Sequence, residues 1–215
     1  PLTMIFSLGL ALLANQKLKG LSFYKSAFFM PMVTSTVAVA MVWYWLYAPD
    51  MGLINYLLGL IGIEGPGWLA DPVWARVAVI IMSAWSKMGY YFLLFLAGLK
   101  GISSTYYEAA EMDGAGFIQK FFHISLPGLI PVYMVILLFN GVDAIKVFDI
   151  IYALTGGGPN NSTMSLSLYA YKIGFDTFDM GYAMTISNAS MILSFLVFGI
   201  IFIRYNAKAH KEGQQ

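Results

Sequence analysis

Lys87 lies near the middle of the run Val77 to Leu99, which is otherwise uncharged, and Ser83, Ser86 and Tyr90 accompany it. Ser83, Lys87 and Tyr90 recur at helical spacing with Ser86 beside them, so one helix face presents hydroxyls, an ammonium and a phenol. Asp143, Lys146 and Asp149 follow at steps of three in a later apolar stretch, again on one face. A charge at the centre of a bilayer costs about 2.5–3.5 kcal/mol on insertion scales, so such groups face a cavity or one another. The chemistry open to this set is reversible: contact with a polar solute, mutual neutralisation of Lys87 and Asp143, or a proton or ion relay through that pair. Thr36, with Thr34 and Ser35, adds hydroxyls, although Ser and Thr in spans often bond the preceding turn or a neighbouring helix. Covalent catalysis has little to work with. The chain has no cysteine, and its two histidines, His123 and His210, lie far apart. A thiolate nucleophile, a sulfur-ligated metal and a Ser/His/Asp triad are all disfavoured, and no GxxxxGK[ST] phosphate loop is present.

Those side chains need elements that hold them at membrane depth. Of the 215 residues 59% are hydrophobic and 11% charged, with a mean hydropathy of +0.71. That is more apolar surface than a soluble domain of this size encloses, so lipid must cover the excess. A net charge of +1 without a clustered basic face argues against a nucleic-acid partner. About 20 apolar residues of helix cross a bilayer core, which predicts spans at 28–48, 77–99, 124–154 and 180–203, the third interrupted by Asp143, Lys146 and Asp149. Leu2 to Ala14 is apolar but short and reads as the second half of an N-terminally incomplete span. A signal peptide fits it poorly, because no basic n-region or small-residue cleavage site precedes Lys17. The expected fold is all-α: one polytopic transmembrane helical bundle over residues 1–205, followed by a tail at 206–215.

Basic and acidic connections alternate along the chain. Lys17, Lys19 and Lys25, then Lys100 and Lys120, then Arg204, Lys208 and Lys211 mark 15–27, 100–123 and the C-terminus as cytoplasmic. The outer connection 49–76 is dense in Gly and Pro, with Leu53 to Ile63 expected to lie along the interface. Trp43, Trp45 and Tyr152 read as packing or interface anchors, and Asn188 as a pathway or helix-joining residue. In the cytoplasmic connection, Thr105 and Glu108 form a capping-box pattern that predicts a helix start. Gly114 predicts its break, and Phe117, Phe121 and Phe122 a second short helix leading to Pro127.

Glu108-Ala109-Ala110, Asp113-Gly114-Ala115, Ile124, Leu126-Pro127 and Pro131 resemble the EAA loop of ABC importer permeases. Phe148-Asp149, Thr155-Gly156-Gly157-Gly158-Pro159 with Thr163, Gly181-Tyr182-Ala183, and Gly52, Asn55 and Leu57-Leu58 are similar to the maltose-type carbohydrate permeases, in particular the heterodimer member that carries the TGGGP signature. The resemblance covers residue 1 to about 205. It implies the type I importer permease fold with a cytoplasmic coupling helix, in which Glu108, Ala109, Ala110, Asp113, Gly114 and Ala115 engage an ATPase subunit. It also implies a solute cavity near the membrane centre, with Thr36, Ser83, Ser86, Lys87, Tyr90, Asp143 and Lys146 as candidates, and a structural role for Asp149. The implied partners are a second permease subunit, two ABC ATPase subunits, an extracytoplasmic solute-binding protein docking on 49–76 and 155–180, and a carbohydrate solute that would be acidic if Lys87 and Lys146 face it. ATP and Mg would sit on the ATPase subunits, with no cofactor and no enzymatic chemistry on this chain, in a bacterial or archaeal inner membrane. The rival reading is an ion-coupled secondary transporter or channel using Lys87 and Asp143 as its relay.

Overall fold

The computed structural model describes residues 1–15 and 21–212. Lys17 and Lys19 lie outside them, as do the side chains of Arg204, Lys208 and Lys211. All regular structure among the described residues is helical. In chain order the helices are α1 (Leu2–Asn15), α2 (Leu21–Val33), α3 (Thr36–Leu46), α4 (Leu53–Leu60), α5 (Pro72–Gly101), α6 (Ser104–Met112) and α7 (Phe117–Lys120). A π-helical turn, Phe121–Ser125, and the single turn α8 (Leu126–Gly128) lead into α9 (Ile130–Lys146), α10 (Asp149–Leu154), α11 (Leu166–Phe175) and α12 (Met180–Glu212).

Two of these helices, Pro72–Gly101 and Met180–Ile203 within α12, are long and apolar enough to cross a bilayer unaided. They contain residues 77–99 and 180–203. Asp71 starts α5 by accepting from the backbone N–H groups of Val73 and Trp74 at 2.8 and 3.0 Å, and Pro72 follows at the first helical position, where its missing N–H costs nothing. The other two expected spans are not single helices. Residues 28–48 divide into α2 and α3 with a 98° bend. Pro31 lacks the N–H that would bond the Ala27 carbonyl, and at the end of α2 the Thr34 hydroxyl donates to the Met30 carbonyl at 2.9 Å. Residues 124–154 divide twice. Phe117–Gly128 and α9 meet at 63°, beside Pro127 and Pro131, and α10 is separated from α9 at Val147–Phe148. The Val147 carbonyl freed by that second break accepts from the Ser165 hydroxyl at 2.6 Å, and Ser165 in turn caps α11 through the Leu168 N–H.

The chain forms two compact units whose boundaries fall inside α3, α5 and α9: Pro1–Val39 with Ile80–Leu137, and Ala40–Val79 with Leu138–Gln215. In the first, α1 presents Met4, Ser7, Ala11 and Ala14, small or unbranched residues three or four apart, to Tyr91, Phe92, Phe95 and Leu99 of α5. Ser7 donates to the Met88 carbonyl at 2.9 Å. Glycines allow close approach: Gly89 lies against the Phe28 backbone carbonyl, Gly98 against the Leu129 and Val132 side chains, and Gly128 against the Ile102 side chain. In the second unit α11 packs on α12, with Leu168, Ala170, Ala183 and Ile186 buried. The outward side of α12 leaves Leu193, Phe195, Leu196, Ile200 and Phe202 exposed, as lipid or a partner helix would require.

Candidate functional site

The connection between α5 and α9 is a helix-turn-helix. Its cap is not the one expected from Thr105 and Glu108. Ser103, in extended conformation, accepts from the Thr105 N–H at 3.3 Å, so α6 begins at Ser104 and Glu108 lies four residues inside it. α5 ends at Gly101, Ile102 packs on Gly128, and Ser103 is the first hydroxyl able to reach the exposed N–H groups. The break at Gly114 is as expected, with φ +76. The Ala115 N–H bonds the Ala110 carbonyl at 2.8 Å and the Gly114 N–H bonds the Glu111 carbonyl at 3.0 Å, the double closure of a Schellman motif. Beyond the turn, the Gly116 N–H donates to Gln119 Oε1 at 2.8 Å. Phe117 lies on α7, whereas Phe121 and Phe122 belong to the π turn.

Glu108, Ala109, Asp113 and Gly114 are exposed, and Ala110 and Ala115 half-buried. Neither α6 nor α7 has a buried residue. Instead Met112 is 88%, Ile118 70%, Tyr106 65% and Phe117 65% exposed. Apolar groups set among charges on so polar a segment form a surface suited to a partner.

The candidate pathway residues divide between the two units. Thr36 and the α5 residues Ser83, Ser86, Lys87 and Tyr90 belong to the first and are all half-buried. Asp143 and Lys146, in the last part of α9, belong to the second and are exposed, as is Asn188. Lys146 lines an open pocket of about 710 Å³ with Phe148, Tyr171, Phe175, Ser167 and Ser187. Its aromatic wall was missed from the sequence. Phe148 stacks on Tyr152 at 5.3 Å and 17° and meets Tyr171 at 5.1 Å, and Tyr171 meets Phe175 at 4.9 Å. The i,i+4 pairs 148/152 and 171/175 were its only signal. A hydrogen bond with the Tyr152 side chain, with the nearby Tyr152 and Asp176 charges adding to it, raises the Tyr171 phenol above its ordinary value.

In the connections after α3 and after α10 the local order comes from two polar hubs. Asn55 donates to the carbonyls of Pro49 and Pro66 at 3.2 and 3.4 Å and accepts from Trp68 Nε1 at 2.7 Å, stitching the Gly/Pro-rich loop closed. Thr163 shares a 2.7 Å bond with Thr155 and donates to the Gly158 carbonyl at 2.9 Å. Lys172 Nζ donates to the Gly156 carbonyl at 2.8 Å. Gly156 and Gly157, at φ +60 and +93, supply the left-handed backbone that this tight loop requires.

Residues 4–211 match the family described as binding-protein-dependent transport system inner membrane component. The chain belongs to this family. As a binding-protein-dependent transport component it is a membrane transport subunit, not an enzyme, and its all-helical fold is that of ABC transporter permeases. It is 38% identical over 197 residues to the trehalose/maltose transport system permease protein MalF of Thermococcus litoralis, covering 91% of this chain and 67% of that protein. It is 34% identical over 197 residues to the sulfoquinovosyl glycerol transport system permease protein SmoG of Agrobacterium fabrum, covering 92% and 64%. A chain of a bacterial alginate ABC transporter, solved in complex with an alginate pentasaccharide-bound periplasmic protein, superposes with a TM-score of 0.78 at 25% identity, covering 97% of this chain and 72% of that one. The chain spans between 57 and 67% of the length of four curated relatives that it matches.

Proposed function

We propose that this chain is the membrane-spanning permease subunit of an ATP-driven importer of sugars or oligosaccharides. It forms half of the translocation pathway with a second, related permease. Two ATPase subunits bind at the cytoplasmic loop 100–123, and a solute-binding protein docks on 49–76 and 155–180. The carrying observation is the Schellman-closed pair of short helices with Tyr106, Met112, Phe117 and Ile118 exposed around Glu108 and Asp113. Alternating access is then rigid-body rocking driven through this loop. The reading also makes residues 1–205 one transport domain in a bacterial or archaeal inner membrane, with 15–27, 100–123 and the tail inside. Purification of the complex tests it. Glu108→Lys sets a cation where the family motif has a carboxylate, and is expected to strip the ATPase subunits from the detergent-solubilised complex while the two permeases stay together. ATP-independent uptake by this chain alone would instead support the relay through Lys87 and Asp143.

Thr36, Ser83, Ser86, Lys87 and Tyr90 in the first unit, and Asp143 and Lys146 in the second, are each proposed as residues that the solute meets. The pocket beside Lys146 favours an acidic glycan: aromatic faces suit the apolar faces of sugar rings, hydroxyls suit their rims, and the ammonium suits a carboxylate or sulfonate. Relatives named for alginate and sulfoquinovosyl glycerol handle such solutes. Loss of one charge-assisted hydrogen bond is worth about 1.5 kcal/mol at the low end of its range, or roughly tenfold. Lys146→Ala is therefore expected to lower uptake of uronate oligosaccharides by that factor and to leave neutral oligosaccharides within about two-fold in proteoliposome assays. Equal losses for both would remove the acidic preference, and Lys87→Ala in the same assay assigns its share.

A further inference from the structure

The two legs of the cytoplasmic loop are joined by more than the turn between them. Glu111 Oε1 accepts from Lys120 Nζ at 2.7 Å, across nine residues. One turn earlier on α6, the Tyr107 hydroxyl and Ser125 Oγ lie 2.9 Å apart, across eighteen. Tyr107 and Glu111 are four apart on α6 and so share a face. Together with Leu12, Leu99 and Phe121 these four residues line a cavity of about 360 Å³ between the legs and the core of the first unit. With the Schellman closure at Ala110–Ala115 the loop has three rungs.

The rungs are placed for transmission rather than for stability. Glu111 is 64% exposed and Lys120 20%, and ion pairs in such surroundings contribute little to folding. Ser125, by contrast, is 5% exposed and ends the π turn, a form often found at functional sites. Immediately after it, Leu129 and Val132 pack on Gly98 of α5, and Gly128 on Ile102. An unbraced pair of helices joined at a glycine would flex at the turn when pushed on one leg. The braced pair carries the displacement of α6 through Tyr107–Ser125 into the start of α9 and the α5 surface that bears Lys87 and Tyr90.

We infer that Tyr107, Glu111, Lys120 and Ser125 are positioning residues that stiffen the loop, so that movement of a bound ATPase becomes movement of α9 rather than bending at Gly114. The inference rests on the reading of this loop as the ATPase seat. It is tested in the complete transporter in proteoliposomes, supplied with its binding protein, by measuring ATP hydrolysed per solute imported. Glu111→Lys and Lys120→Glu are each expected to retain the ATPase subunits on purification yet raise that ratio at least about five-fold, the lower end of typical coupling factors. The double exchange restores the pair and is expected to bring the ratio back to within about two-fold of wild type. Tyr107→Phe removes the second rung with little change in volume and is expected to raise the ratio in the same way. An unchanged ratio in the single variants, or no recovery in the double exchange, overturns the brace. So does loss of assembly with the milder Glu111→Gln, which would make the pair a structural strut. Failure of the wild-type chain to retain an ATPase subunit would instead sink the parent reading.

Discussion

Gly114→Val is expected to abolish solute uptake, by about 100-fold or more, while the chain still inserts in the membrane and keeps its helices. Gly114 holds φ +76, a left-handed conformation that costs an L-residue about 1–2 kcal/mol and a β-branched one more. Nothing in the chain lies within 4 Å of a Cβ built there, so the substitution causes no internal clash. Its damage is confined to the turn and to whatever docks on it. Relief of the strain breaks the Ala115–Ala110 and Gly114–Glu111 bonds and lets α6 swing away from α7. About 2 kcal/mol of strain alone lowers the population of the docked geometry roughly thirty-fold. The added methyl groups, at a point exposed among Met112, Asp113 and Phe117, supply the rest. Asn tolerates the left-handed region, so Gly114→Asn keeps the turn and is expected to retain a large part of uptake. Uptake assays with co-purification of the ATPase subunits separate the outcomes. Normal transport by the valine variant would mean the loop is not the lever. Equal failure of both variants would place the effect in surface fit instead of backbone geometry.

The break at Gly114 was legible because only glycine adopts that conformation cheaply and the EAA motif surrounds it. The start of α6 was less so. Ser103, Ser104 and Thr105 offer three consecutive hydroxyls, and local pattern does not choose among them. α5 ends at Gly101, two residues before Ser103, where Ile102 makes a long-range contact with Gly128 that no local pattern encodes. Hydropathy identified α5 and α12 because each carries its apolar run on one helix. It misread 28–48 and 124–154 as continuous, since a window average is blind to the bends that follow Pro31 and that lie between Pro127 and Pro131. The candidate pathway residues of α5 share a face because spacing on one helix fixes direction. The aromatic wall beside Lys146 joins residues of α10 and α11 to Phe148, and only the fold of the loop between them brings Tyr171 to Phe148. Sequence spacing says nothing about such a pairing.

Gly89→Ala is expected to lower the stability of the chain by about 2–4 kcal/mol, and Gly89→Leu to leave no functional transporter. Gly89 is buried in α5, and a Cβ there would fall on the Phe28 carbonyl oxygen, 2.6 Å from the carbonyl carbon and 3.1 Å from Phe29 Cα. These are backbone atoms, so no rotamer change relieves the clash and α2 must move off α5. Overpacking of this kind typically costs 1–3 kcal/mol and more where backbone is displaced. The neighbouring hydrogen bond from Ser7 to the Met88 carbonyl would be disturbed at the same time. Lys87 and Tyr90 flank the position, so even a partly folded variant would present these candidate pathway residues displaced. A control lies in the same chain. Gly199 is helical in α12, and a Cβ there meets nothing within 4 Å. In Gly199→Ala the gain in helix propensity and the reduced entropy of the unfolded chain act alone, worth about 0.4–1 kcal/mol. The two alanine substitutions, identical in chemistry, should therefore move the apparent Tm in detergent in opposite directions, with Gly89→Ala down and Gly199→Ala up. A common direction would show that α2 and α5 do not touch backbone to backbone, and that the site holding Lys87 is built with more room than this geometry allows.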